Sequence, residues 1–206
     1  MRNPHFEVWS ADARPDGYAD EIHLRLSEDV AAQVAAVERR RADVMLGPPG
    51  GAAEGLLTQY PGRLHSHAVP WTDYMFLNTR VPPFDDLRVR QALNYAVDRE
   101  RMVELLGGLL AARPTCQLLP PAVPGYRPYC PYTLNRNPAG TWTAPDLARA
   151  RALVAASGTR GMHVEVLAYE QFGRLEYGRY FVSLLRRLGY RSSLRVIPEL
   201  EPDYVE

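Results

Sequence analysis

The sequence contains 206 residues, enough for one or two domains with a sizeable hydrophobic core. Its 24 basic residues equal its 24 acidic residues, and this balance argues against a nucleic-acid-binding protein. No apolar run reaches the roughly 18 residues that a transmembrane helix needs, and charged residues occur throughout the N-terminal part, so we expect neither a membrane span nor a secretory signal within this stretch.

The N-terminal part predicts two strands and a helix. Residues 5–9 alternate and are rich in aromatic side chains, and residues 21–26 alternate strictly between apolar and polar, which predicts two strands, the second half-buried. Either Ser27 or Asp29 can cap a helix that continues to about residue 41. Its inward side would carry three valines: Val30, Val34 and Val37.

A short apolar strand is predicted at residues 43–46, before a turn rich in glycine and proline at residues 47–51. Two further strands are predicted at residues 63–69 and 72–79. In the second, Tyr74 and Phe76 share one face and Met75 and Leu77 the other. Strands that alternate with helices in this way predict an α/β protein.

Residues 81–108 predict two consecutive helices. Asp85 or Asp86 can cap the first, and Asp98 restarts the pattern as the cap of the second. The glycines at 107 and 108 supply the stop. The apolar residues that recur at helical spacing, and that we expect to face a core, are Val89, Ala92, Leu93, Ala96, Val97, Met102, Val103, Leu105 and Leu106.

Residues 113–145 carry eight prolines and both cysteines, with no periodic pattern. Such a long irregular segment needs to be held in place. A disulfide between Cys116 and Cys130 would do so and would stabilise the fold by roughly 3 kcal/mol. Two thiolates alone do not complete a tetrahedral metal site, and neither cysteine precedes a helix as a reactive thiol would. We therefore predict a disulfide and an oxidising compartment outside the cytoplasm.

The C-terminal part predicts a parallel strand–helix–strand unit. A helix from Thr143, as its cap, to Ser157 is followed by a strand at 162–168, a helix at 174–188 and a strand at 190–197. The short turn at Gly189 fits a parallel pair joined by the helix.

Catalytic and metal-binding motifs are not recognisable in the sequence. Of the five histidines, His65 and His67 share a strand face, which would suit a metal pair, but no third ligand lies near them in the chain. A solvated strand face explains them as well. The sequence thus favours a binding protein and predicts no enzyme activity, no cofactor and no metal.

One stretch carries a resemblance to a known family. Residues 82–99 read Pro-Pro-Phe-Asp-Asp-Leu-Arg-Val-Arg-Gln-Ala-Leu-Asn-Tyr-Ala-Val-Asp-Arg, after Tyr-Met-Phe-Leu-Asn at 74–78. This order resembles the signature of the family 5 extracellular solute-binding proteins, the dipeptide, oligopeptide and nickel receptors of ABC importers. The cysteine-containing segment resembles a subgroup found in high-GC Gram-positive bacteria.

The resemblance implies a periplasmic-binding-protein-like type II fold, with two lobes around a cleft, of which this chain would be an internal to C-terminal portion. Residues 1–72 would be part of the first lobe and residues 73–206 the second. The resemblance implies ligand contacts from Trp71, Tyr74, Phe76, Pro48 and Glu199. Ordinary core aromatics remain an equal explanation of the first three.

The implied function is to bind peptides or another small polar solute for the permease subunits of an ABC importer. The receptor would be extracellular or periplasmic and attached to the membrane only through an anchor outside these residues. The same fold could instead serve as the ligand-sensing domain of a larger regulatory protein, in which case a DNA-binding or signalling segment would adjoin it.

Overall fold

The computed structural model describes most of the chain, namely residues 5, 7, 20–27, 29–47, 53–65, 67, 69–121, 123–169 and 174–197. The described helices are α1 (Val30–Glu38), α2 (Ala53–Gln59), α3 (Leu87–Ala96), α4 (Arg99–Leu105), α5 (Leu147–Ser157) and α6 (Arg174–Leu188). The described strands are β1 (His163–Tyr169) and β2 (Arg191–Ile197). The chain divides into two compact units, residues 1–47 and residues 48–206.

The first unit contains α1. A side-chain oxygen of Asp29 accepts a hydrogen bond from the backbone N–H of Ala32 at 2.9 Å, so Asp29, one of the two predicted caps, begins the helix. Of the three valines of α1 that were predicted to face inward, Val30 is exposed and Val34 and Val37 are half-buried, and no side chain of α1 is fully buried.

The second unit has its core between α3, α5, α6 and the two strands. α3 packs against α5, and α6 packs against both strands. The buried side chains of this cluster are Val89, Ala92, Leu93, Tyr95, Ala96, Ala150, Val154, Val164, Val166, Phe181, Val182, Leu184, Leu185, Leu188 and Tyr190. The apolar face predicted for α3 is thereby confirmed.

The strands β1 and β2 are parallel, with His163 opposite Arg191 and Tyr169 opposite Ile197. The predicted strand–helix–strand unit is thus confirmed. Gly178 lets α6 approach the sheet closely, because a Cβ atom at this position would lie 2.7 Å from the Cβ of Ala168.

The helix α5 begins at Asp146, whose side-chain oxygen accepts from the backbone N–H of Arg149 at 2.9 Å. The prediction that Thr143 caps this helix is therefore wrong. Its hydroxyl instead bonds with Thr133 and the carbonyl of Leu134. The end of α5 is as predicted, since Gly158 adopts the left-handed conformation there.

A hydrogen bond joins the start of α4 to α6. The backbone N–H of Asp98 donates to the phenol oxygen of Tyr180 at 2.7 Å. Burial raises the pKa of Tyr180 and lowers the pKa of the neighbouring Arg99. The phenol therefore stays neutral and accepts the hydrogen bond throughout the physiological pH range.

Four predicted strands are not strands in the described residues: 21–26, 43–46, 63–69 and 72–79. Alternation fixes which side chains share a face, but a strand also needs a neighbour to complete its backbone hydrogen bonds. Ile22, Leu24 and Leu26 are all exposed, so the prediction of a half-buried strand there is wrong. The strand predicted at 5–9 lies outside the described residues except for His5 and Glu7.

None of the helices in the described part of the chain is long and apolar enough to cross a bilayer.

Candidate ligand-binding site

Three aromatic side chains are exposed within a short segment without regular secondary structure, residues 71–77, which we call the aromatic segment. The exposed fractions are 74% for Trp71, 60% for Tyr74 and 83% for Phe76. The rings of Tyr74 and Phe76 meet edge to face with centroids 4.9 Å apart. Large aromatic side chains that stay in water in a folded chain are typical of a recognition surface.

The opposite side of the aromatic segment is attached to the core of the second unit. Leu77 packs against the core cluster, and Met75 is less exposed than either of the aromatic residues beside it. The predicted alternation of faces is therefore correct, and the structure shows that the face with Tyr74 and Phe76 is the one in water.

The aromatic segment is also attached to residues 113–145, which we call the irregular segment. The hydroxyl of Thr72 donates to the backbone carbonyl of Leu118 at 2.9 Å. Leu118 lies inside the loop closed by the Cys116–Cys130 disulfide, whose Cα atoms are 5.1 Å apart. This confirms the predicted disulfide. The bridge thus stabilises the loop on which the aromatic segment rests.

The loop has a further hydrogen bond across it. The side-chain amide of Gln117 donates to the carbonyl of Arg127 at 2.7 Å. Cys130 is buried, although it lies in a segment without regular secondary structure. The irregular segment is therefore fixed by side-chain contacts and a covalent bond, which explains how it can support neighbouring residues.

The start of α3, which follows the aromatic segment in the chain, is also held in place by hydrogen bonds. The Arg88 guanidinium bonds to the carboxylate of Asp86 at 2.6 Å and to the carbonyl of Ala156 at 2.7 Å. The hydrogen bond from the Arg88 side chain lowers the pKa of Asp86, which is the N-cap of α3. The chain that leaves the aromatic segment therefore enters a helix with a rigid first turn.

The other predicted contact residues, Pro48 and Glu199, lie outside the described residues. His65 and His67 are exposed and are not in a strand. In the part of the chain that the structure describes, no group of three histidine, cysteine or acidic side chains is placed to hold a metal ion.

Two features were not foreseen from the sequence. One is the bond from Thr72 to Leu118, which joins residues 46 positions apart. The other is a cavity beside the disulfide, with Tyr126, Tyr129 and Trp142 in its wall. The many aromatic residues in the proline-rich segment could have indicated the cavity. No pattern in the sequence indicates the hydrogen bond between Thr72 and Leu118.

An α/β scaffold that holds aromatic side chains in water is an arrangement typical of binding proteins. The chain matches the family of bacterial extracellular solute-binding proteins, family 5 (middle), over residues 1–201. It belongs to this family, whose members are binding proteins. The family predicted from residues 74–99 is thereby confirmed.

Solved structures give the same fold. The peptide-bound, ABC-transporter-associated periplasmic binding protein DppA of Helicobacter pylori matches with a TM-score of 0.62 and 21% identity, covering 84% of this chain and 32% of that one. The agropinic-acid-bound protein AgaA of A. tumefaciens R10 matches with a TM-score of 0.59 and 26% identity, covering 82% and 33%. The predicted type II periplasmic-binding-protein fold is confirmed.

A curated relative, heme-binding protein A of Haemophilus influenzae, is 29% identical over 110 residues, which are 52% of this chain and 19% of that protein. The chain therefore spans about a fifth of this relative and about a third of the two solved structures.

Proposed function

We propose that this chain is part of the solute-binding component of an ABC importer, and that the component binds peptides or a similar small polar solute between two lobes. The observation that carries the proposal is the exposed aromatic segment in a member of a solute-binding family. In the proposed arrangement, residues 1–72 belong to the first lobe and residues 73–206 to the second. Pro48 and Glu199 are further proposed contacts.

The chemistry of the aromatic segment suits such a ligand. The flat faces of Trp71 and Phe76 can cover apolar side chains of a bound peptide, while the indole N–H and the Tyr74 hydroxyl can bond its carbonyl groups. Contacts of this kind depend little on the order of the ligand's residues. They fit relatives whose structures contain a peptide, a Met-Leu dipeptide or agropinic acid.

The proposed partners are the permease subunits of the importer, which receive the solute when the two lobes open. We place the protein outside the cytoplasm, in the periplasm or at the cell surface as an anchored lipoprotein. The Cys116–Cys130 disulfide supports this location, because disulfides persist in oxidising compartments.

The test is ligand binding by the protein purified from its source cells as its gene encodes it. Mass spectrometry of the small molecules released on denaturation identifies what it carries, and titration calorimetry with the same compound gives the affinity. We expect a peptide, and we expect Phe76→Ala and Trp71→Ala each to weaken its binding about tenfold, or roughly 1.4 kcal/mol.

Leu134→Ala is the control, because Leu134 is another exposed, large apolar residue that lies outside the aromatic segment and does not line the cavity. Its peptide affinity should equal that of the unmodified protein. Equal affinity in all the variants would remove the aromatic segment from the site. An adjoining regulatory segment and free thiols in the native protein would favour an intracellular sensor instead.

A further inference from the structure

The cavity beside the disulfide lies in the irregular segment, apart from the aromatic segment. Its volume is about 500 Å³, within the range of small-molecule sites. Residues from three stretches, 109–116, 126–129 and 140–142, form its wall. The cavity lies wholly within the second unit.

The wall of this cavity is fixed before any ligand arrives. Cys116 lines it and is bonded to Cys130. Thr141 also lines it, and its hydroxyl accepts a hydrogen bond from the side-chain amide of Asn137 at 2.9 Å. Gly140 has a positive φ of 64° and lies so near Pro128 that an added Cβ atom would be 2.5 Å from the Pro128 carbonyl oxygen. A wall fixed in this way loses little entropy on binding.

The lining combines one positive charge with aromatic surface. Arg113 is the only charged side chain among the described residues that line the cavity, and it makes no ion pair in the described part of the chain. Tyr126, Tyr129 and Trp142 supply flat rings. The indole nitrogen of Trp142 is buried, so the accessible part of that side chain is carbon.

These groups select a ligand by charge and shape. A guanidinium bonds a carboxylate through two parallel N–H donors, and the phenols of Tyr126 and Tyr129 can donate to an anion as well. The carbon surface of Trp142 favours a flat apolar body. No carboxylate of this chain lines the cavity among the described residues, so an anionic ligand meets no repulsion there.

The geometry points to a second ligand site in this cavity, which binds a small carboxylate that carries an aromatic ring, with the carboxylate on Arg113 and the ring against Tyr129 and Trp142. The family's peptide ligands are proposed for the aromatic segment, and this site is independent of them. It gives the protein a way to carry or sense a second class of compound.

The experiment titrates the purified full-length protein with 1-naphthylacetate and, as its neutral counterpart, with 1-naphthylacetamide. Ligands of about 14 non-hydrogen atoms bind with a Kd near 1 mM at a typical 0.3 kcal/mol per atom. We expect saturable binding of the acid in this range and binding of the amide at least about tenfold weaker, as the loss of a charge-assisted hydrogen bond implies.

Four variants test where the ligand binds. Arg113→Gln should bind the acid as weakly as the amide, and Tyr129→Ala should weaken both compounds. Arg136→Gln is the matched control, because Arg136 is exposed in the same irregular segment but does not line the cavity. It should bind the acid normally, as should Phe76→Ala.

Three results would overturn the proposal. The first is that the acid shows no saturable binding up to about ten times that Kd. The second is equal affinity for the acid and the amide, and the third is unchanged affinity for the acid in Arg113→Gln. Because Phe76→Ala affects only the aromatic segment, loss of peptide binding and loss of naphthylacetate binding remain distinguishable.

Discussion

The helices α1 and α3 begin with the same kind of cap but are packed differently. Each has an aspartate whose side-chain oxygen accepts a backbone N–H of the first turn, Asp29 in α1 and Asp86 in α3. α3 buries five side chains against its neighbours, whereas α1 buries none among the described residues. A cap therefore sets where a helix begins, and a neighbouring element decides whether the helix contributes to the core.

The two units also differ in the burial of residues that lie outside their helices. In the first unit the apolar residues Leu26 and Leu46 are exposed. In the second unit even the irregular segment has Cys130 and Thr133 buried. The disulfide and the side-chain hydrogen bonds hold that segment, so regular secondary structure is not required for order.

The largest effect should come from removing a core side chain. Leu184 is 2% exposed in α6, and Leu184→Ala should lower the free energy of unfolding by roughly 2–5 kcal/mol, through lost burial and the cavity left behind. Leu46, which is 78% exposed, is the matched control, and Leu46→Ala should change it by less than about 0.5 kcal/mol. Chemical denaturation followed by circular dichroism measures both. A similar loss in the two variants would contradict the comparison.

Removing the disulfide should have the next largest effect. Replacing Cys116 and Cys130 together by alanine should lower stability by roughly 3 kcal/mol, because the unfolded chain regains its freedom. Since Leu118 accepts the hydroxyl of Thr72, amide hydrogen exchange in residues 71–77 should also become faster. Reducing agent should reproduce both effects in the unmodified protein and change nothing in the variant. Unchanged exchange in residues 71–77 would show that the loop does not support the aromatic segment.

The helix α6 shows why some boundaries were predictable from sequence. Its apolar residues, from Phe181 to Leu188, recur at helical spacing, and Gly189 supplies the stop, so local signals agree with the packing. The helix α5 shows the limit. Thr143 and Asp146 are both good caps, and it is the bonding of the Thr143 hydroxyl to Thr133 and to the carbonyl of Leu134 that removes Thr143 from that role.

The strands and the site needed information that lies elsewhere in the chain. Alternation in residues 21–26 and 72–79 is a property of each segment, whereas strand pairing depends on a second segment that the pattern does not identify. For the aromatic segment, the period of two correctly placed Tyr74 with Phe76. It could not tell which face is in water, because that depends on the packing of Leu77.

A smaller effect should come from the helix caps. Asp146→Ala removes the acceptor for Arg149 N–H at the start of α5, which packs against α3, and should lower the free energy of unfolding by about 1 kcal/mol. Asp29→Ala removes the corresponding acceptor in α1 and should leave the main unfolding transition within about 0.5 kcal/mol. Its expected effect is faster amide exchange in α1 alone. An equal loss in the main transition would mean that α1 is part of the same cooperative unit.

We expect the smallest effect to be a dependence of the folding stability on pH that arises from the Asp86 carboxylate. Its pKa is lowered in the folded chain by the hydrogen bonds from Arg88, so its stabilising effect is complete above the unfolded value of about 3.9 and is lost as the pH falls through the folded pKa. Asparagine also caps helices well, so Asp86→Asn removes the charge and keeps the acceptor.

Thermal unfolding of the unmodified protein and of Asp86→Asn, measured across a series of pH values, isolates this charge. The unmodified protein should have the higher Tm at neutral pH, and the difference should shrink once the pH falls below about 4. Asp29→Asn is the matched control, because Asp29 caps α1 without an arginine partner among the described residues. A difference for Asp86→Asn that stayed constant down to low pH would show that the Asp86–Arg88 pair does not stabilise α3 through its charge.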